Sequence, residues 1–314
     1  MQYVEERIKR LLQELETRIY PIKTPVSGIR MKKTREQYDP SVGINTTEWE
    51  VCPPEPLWGG HREYFWFSME VDIPETFAGM PVEIEVRTGR EEPREKGEEW
   101  GWDALNPQFT AFVNGRIVQG LDINHRDILL TEQAKGGEHF TVVLSAFTGD
   151  QNPTLKLDCR LKARDVITEK YFYDLEVPYK ILRLLERDDK LYLDMVRILN
   201  QSLDFVEFRY PYSAVYTDSI HQADIFLEEN YYQVYQNRSI AKAYCVGHTH
   251  IDVAWKWTLS VTRDKALRSF STVLELMDRY PQYRFMSSQP QLYKYVKEQS
   301  PAQFERIRSR VADD

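Results

Sequence analysis

The chain has 314 residues, enough for about two domains that each bury a sizeable core. A composition of 42% hydrophobic and 29% charged residues is that of an ordinary folded protein, and a net charge of -8 argues against nucleic acid, whose phosphates want a basic face. Cys52, Cys159 and Cys245 are too few and too widely spaced for a disulfide framework; with a charged start lacking an apolar signal core, they predict a cytoplasmic protein. No segment approaches the roughly 20 apolar residues of a membrane helix, so no membrane partner is expected.

Residues 1–59 read as an N-terminal helix and an extended lead-in. Ile8, Leu11, Leu12, Leu15 and Ile19 recur at helical spacing, which predicts a helix over 2–19, stopped by Pro21. Its apolar stripe should pack on the rest of the chain or, alternatively, on a second subunit. Residues 60–170 read as a jelly-roll-like β-sandwich. Tyr64–Val71 has strand composition, and Val82–Val86 and Leu155–Leu161 alternate as half-buried strands. Phe109–Val113 and Arg116–Val118 flank Asn114-Gly115, which suits the two positive-φ positions of a type I′ hairpin. Lys135–Glu138 is a second turn, leading into the strand Phe140–Leu144. The charged loop Glu91–Glu99 is followed by Trp100 and Trp102, which either plug that loop against the sandwich or contact substrate or a partner. An aromatic content of 13% fits both a β-rich domain and a sugar-processing protein.

Residues 171–240 read as a helical linker region, with helices over 177–236. Tyr192, Met195, Val196, Leu199, Leu203 and Val206 form one stripe, and Ile220, Ala223, Phe226 and Leu227 another. From 241 the pattern becomes strand, loop, helix, strand, the opening of a parallel α/β fold. Ala243–Val246 is the expected buried strand. Leu267, Phe270, Leu274 and Met277 mark a helix ending before Pro281, and Tyr283–Ser287 is the next strand. Ser300-Pro301-Ala302-Gln303 fits the start of a further helix that Phe304, Ile307 and Val311 continue.

His248-Thr249-His250-Ile251-Asp252-Val253-Ala254-Trp255 follows that first strand. Isolated histidines are more often surface or core residues than ligands, but two of the chain's six fall within this window. Alternate side chains of an extended segment share a side, so His248, His250 and Asp252 can converge. Imidazole and carboxylate suit a catalytic zinc, and strand exits are where α/β folds place their sites. Ser287-Ser288-Gln289-Pro290 leaves the second strand beside the first and can line the same cleft.

Gly247–Trp257 resembles the first zinc-binding segment of the α-mannosidases of glycoside hydrolase family 38, whose signature is H-x-H-x-D-x-x-W. The Ile-Asp and Ala-Trp-x-Trp version is similar to the cytosolic/vacuolar and bacterial branch. The resemblance implies that His250 and Asp252 are zinc ligands, that Trp255 lies under a bound mannose, and that His248 is a neighbour of the site and not a ligand. It also implies an N-terminal β-sandwich ahead of a parallel, barrel-like catalytic domain, hence an α+β chain whose residues 241–314 begin that domain. The substrate class it implies is mannose-containing oligosaccharides, cleaved with retention by two carboxylates about 5 Å apart. Zinc would act there as Lewis acid and template. Nothing after Trp257 resembles the family's nucleophile segment or its remaining ligands. No catalytic residue is therefore assigned within these residues, the fragment alone should be inactive, and a homo-oligomer is open for the full-length protein. Amidohydrolases also place an H-x-H after a first barrel strand, and metallo-β-lactamases carry H-x-H-x-D-H, for which Val253 is the wrong last residue. A carbohydrate-binding or oligomerisation module is the non-enzymatic alternative.

Overall fold

Strand alternation builds the first half of the molecule. The computed structural model describes residues 2–36, 38, 39, 41, 43–90, 108–122, 124–149, 154–235, 242–255 and 257–313. Trp100, Trp102, the Glu91–Glu99 loop and Lys256 lie outside them. After α1 (Gln2–Arg18) come β1 (Ile22–Pro25), β2 (Arg30–Lys33), β3 (Glu50–Val51), β4 (Leu57–Gly59), β5 (Tyr64–Asp72), β6 (Val82–Arg90), β7 (Phe109–Val113), β8 (Arg116–Leu121), β9 (Asp127–Thr131), β10 (His139–Phe147) and β11 (Thr154–Ala163). Among the described residues they form two antiparallel sheets. One has the order β1-β11-β6-β9, with β4 also on β11; the other has the order β3-β2-β5-β10-β7-β8. Alternate residues Phe65, Phe67 and Met69 of β5 meet Ile84 and Val86 of β6 and Leu155, Leu157 and Leu161 of β11 in one core between the sheets. The β7–β8 hairpin turns on Asn114 and Gly115 at φ 48° and 77°, the pair of positive values that the Asn-Gly dipeptide supplies.

A helical bundle built on α1 follows the sandwich. α2 (Val166–Leu182), α3 (Lys190–Asp204) and α4 (Ala214–Leu227) are followed by a π turn at Glu228–Tyr232 and the short α5 (Gln233–Tyr235). Ile8, Leu12 and Leu15 of α1 are buried among Tyr171, Leu175, Leu199 and Ile220, so the first helix packs within its own chain. Helix begins at Val166, ahead of the expected 177, because Asp165 caps it: its side chain accepts from Thr168 N–H at 2.7 Å. Pro178 sits inside α2 and is itself buried, so packing outweighs the ladder bond it forfeits. Lys162, 2% exposed on the outer face of β11, pairs with Asp127 at 2.8 Å and lies 3.8 Å from the Tyr20 ring centroid, joining sheet to bundle.

The last stretch holds β12 (Gly247–His248), α6 (Leu259–Arg279), β13 (Phe285–Met286), α7 (Pro290–Gln299) and α8 (Pro301–Asp313). β12 and β13 pair in parallel, as a strand–helix–strand unit requires. The expected strand Ala243–Val246 does not form: pairing starts at Gly247, and Tyr244 and Val246 are 86% and 54% exposed. Among the described residues no strand flanks 243–246, so nothing there rewards an extended, buried conformation. α7 was not legible as a helix; Pro290 at its first position starts it. The chain is thus α+β with a β-rich first half. α6 lies on β8, where Gly120 N–H donates to Thr272 Oγ1 at 2.9 Å and Gln303 Nε2 donates to Ile117 O at 3.1 Å. The close approach needs a glycine: a Cβ at 120 would stand 3.1 Å from three stem carbons of Arg268.

Candidate functional site

The segment leaving β12 brings His250 and Asp252 together. His250 Nε2 lies 3.1 Å from Asp252 Oδ1, with both side chains well exposed. Two ligands on one tetrahedral zinc at about 2.0–2.1 Å each stand roughly 3.3 Å apart, so the pair fits a shared ion in donor chemistry and spacing. His248 is exposed in β12, opposite Met286. Among the described residues no three His, Cys, Asp or Glu side chains form a metal-holding group, so His248 does not complete one.

Two side chains that spacing did not single out shape this loop. Gln289, at the N-cap of α7, clamps the residue between the pair: Ile251 N–H donates to its Oε1 at 3.3 Å, and its Nε2 donates to Ile251 O at 3.0 Å. Ile251 is 6% exposed, so its apolar side chain anchors the loop while its neighbours project outward. Gln289 belongs to the Ser287–Pro290 run expected beside the cleft, but its role as a clamp carries no sequence signal. Thr262, fully buried in the first turn of α6, is the second. Its Oγ1 accepts from Ala254 N–H and from Trp257 Nε1, both at 3.1 Å. Ala254 takes φ 56°, a left-handed value uncommon for a residue with a Cβ, and that bond helps hold it there.

Trp255 is 55% exposed and meets Trp257 edge to face at 5.6 Å. Both line a cleft of about 1360 Å³ between the outward face of the six-stranded sheet and the first turns of α6 and α8; His250 and Asp252 do not. The Lys265 ammonium stands 4.3 Å from the Trp257 ring centroid and donates to Gln108 Oε1 at 2.9 Å; Arg268 donates to the same oxygen. Burial, with repulsion from Arg268, lowers the Lys265 pKa to about 8. Burial raises the neighbouring Asp264 carboxyl to about 6, against the pull of Arg268 and Arg263. Neither group was legible as perturbed, because the burial that displaces both arises from tertiary packing.

Residues 241–314 match the profile of the Glycosyl hydrolases family 38 N-terminal domain. Along more of its length the chain is similar to Alpha-mannosidase G of Dictyostelium discoideum, 25% identical over 270 residues that cover 79% of this chain and 22% of that protein. Human Alpha-mannosidase 2C1 is 25% identical over 273 residues, covering 77% and 23%. Alpha-mannosidase of Saccharomyces cerevisiae is 39% identical over 85 residues, covering 27% and 8%. The chain therefore spans under a quarter of the length of these relatives. Among solved structures, a β-glucuronidase from Ruminococcus gnavus aligns with 46% of this chain and 29% of its own at 11% identity and a TM-score of 0.31, too loose a likeness to argue from.

Proposed function

We propose that the protein to which this chain belongs, a member of glycoside hydrolase family 38 through residues 241–314, is a cytoplasmic, zinc-dependent retaining α-mannosidase acting on terminal α-mannosides of oligosaccharides. The observation that supports this most is the 3.1 Å approach of His250 and Asp252 inside the matched segment. The relatives that match over most of the chain are named α-mannosidases.

His250 and Asp252 would hold the metal, and Trp255 would present its exposed face to a sugar ring. Zinc, when bound, supplies Lewis acidity toward sugar hydroxyls. The side chains here bind and orient; the clamp from Gln289 and the bond from Thr262 keep loop and indole in place. A tetrahedral zinc takes three or four protein ligands in a catalytic or structural site, and these residues offer two. Zinc should accordingly bind weakly to residues 1–314 alone and tightly to the full-length protein, and residues 1–314 alone should show no turnover. Calorimetric zinc titration and aryl α-mannoside hydrolysis test both statements. In the full-length protein His250→Ala should lose zinc and at least 10³-fold in kcat/KM, on the order expected when an essential group is removed, while the circular dichroism of the sandwich is kept. Equal zinc affinity in the wild type and His250→Ala would sink the assignment and favour the carbohydrate-binding module.

A further inference from the structure

We infer that the cleft between the sandwich and α6 binds the sugars on the reducing side of the scissile bond, so that the sandwich reads the oligosaccharide behind its terminal mannose. This rests on the α-mannosidase reading above and adds to it a place and a chemistry for the rest of the substrate.

An antiparallel sheet with one face on a core usually turns a polar face outward. The outward face of the six-stranded sheet is polar toward one end, where Glu70, Asp72, His139 and Thr141 lie, and aromatic toward the other. Phe65, Phe67, Phe109, Leu144 and Ala146 face the inter-sheet core, and on the other side Tyr64, Trp66, Phe112 and Phe147 form an aromatic group with Thr110 and Ser145 among them. Tyr64 and Phe147, paired across β5 and β10, have ring centroids 4.5 Å apart, and Trp66 and Phe112 stack at 6.0 Å. Tyr64, Phe112 and Phe147 line one wall of the cleft, beside Trp66, which is 2% exposed and packed with Tyr38 and Trp49, and Arg263, Asp264, Lys265 and Arg306 stand on the other. A sugar ring has an apolar C–H face and a rim of hydroxyls that both donate and accept. An aromatic wall opposite ammonium, guanidinium and carboxyl groups matches both features. At about 1360 Å³ the cleft exceeds the roughly 300–1,000 Å³ of a single small-ligand pocket, which suits a chain of sugars more than one ring. It is also continuous with the proposed site, because Trp255 belongs to both the His250–Asp252 loop and the cleft wall.

The test uses the full-length protein and two substrates, an aryl α-mannoside that ends at one sugar and an α-linked mannotriose. Tyr64→Ala and Phe147→Ala should each lower the ratio of mannotriose to aryl-mannoside kcat/KM about tenfold, the loss of one aromatic contact, through KM and not kcat. Tyr64→Phe, which keeps the ring, should restore the ratio. An unchanged ratio, or a proportional fall with both substrates in all three variants, overturns the inference and assigns the aromatic face to packing against protein. A wild type that hydrolyses neither substrate removes the α-mannosidase reading itself, and this inference with it. Hydrolysis of the aryl mannoside with no change of ratio removes only the inference.

Discussion

The sandwich and residues 242–313 solve the burial problem differently. In the sandwich every strand longer than four residues sets its inward side chains against the opposite sheet, and Phe67, Ile84, Leu144 and Leu157 are fully buried. In residues 242–313 two strands of two residues each make the parallel pair, and the cluster around Phe270, Leu292 and Val296 is built mainly by helices. Met286 in that pair, and Tyr244 and Val246 just ahead of it, stand more than half exposed. Parallel strands are normally covered on both faces. The sandwich therefore holds the larger core, and the second region carries candidate chemistry on a loop held by Thr262 of α6 and by Gln289 at the start of α7.

The largest expected effect separates the two regions directly. Phe67→Ala, at a fully buried position between the sheets, should cost about 3–5 kcal/mol. Met286→Ala, in the parallel pair and 61% exposed, should stay within about 0.5 kcal/mol. Urea denaturation of this chain gives both values. A cost at Met286 approaching that at Phe67 would mean that another surface, such as a second copy of the chain, covers the parallel pair.

A middle-sized effect is expected inside the second region, at the support of the candidate metal pair. Gln289→Leu removes both hydrogen bonds to Ile251 and leaves a buried N–H and C=O unmatched, at a cost of about 1–3 kcal/mol. Zinc affinity of the full-length protein should fall roughly 10–100-fold, as it does when a ligand's outer support is lost. Gln289→Glu keeps the acceptor for Ile251 N–H and loses the donor, so it should fall between. Unchanged zinc affinity in Gln289→Leu would show that the loop holds its own shape.

What could be read in advance follows the same division. Alternation of Val82–Val86 and Leu155–Leu161 and the Asn114-Gly115 turn announce strands and a hairpin, because a two-sheet core rewards that period locally. β1, with only Ile22-Lys23-Thr24-Pro25, has too few residues to show a period and exists through its pairing with β11. Ala243–Val246 looks like a strand and is not one here, since an apolar run specifies burial only when neighbours arrive. The approach of His250 to Asp252 follows from their spacing along an extended segment. Gln289 and Thr262 could not be identified as supports, because their partners are backbone and indole groups brought close by tertiary contacts.

The smallest expected effect concerns charge, and it carries an unusual sign. Asp264, on α6 at the cleft wall, has its carboxyl raised from 3.8 to about 6, chiefly by burial. Below the unfolded value of 3.8 the group is protonated in both states and costs nothing. As pH climbs from about 4 to about 6 the unfolded chain releases this proton first, so the contribution of Asp264 to stability is lost across that window and stays lost above it. A carboxylate held low by an ion pair behaves in the opposite way. A tenfold change in proton affinity between the folded and unfolded chain corresponds to about 1.4 kcal/mol. Partial exposure of the side chain and the nearby Arg263 and Arg268 reduce the penalty at Asp264 to on the order of 1–2 kcal/mol. Asp264→Asn carries no ionisable group, so its melting temperature should match the wild type near pH 4 and exceed it at pH 7 by about 2–4 °C per kcal/mol. A variant less stable than the wild type at pH 7 would show that Asp264 is retained for its attraction to Arg268 and Arg263, and that the α6 wall is held by ion pairing instead of by its contact with β8.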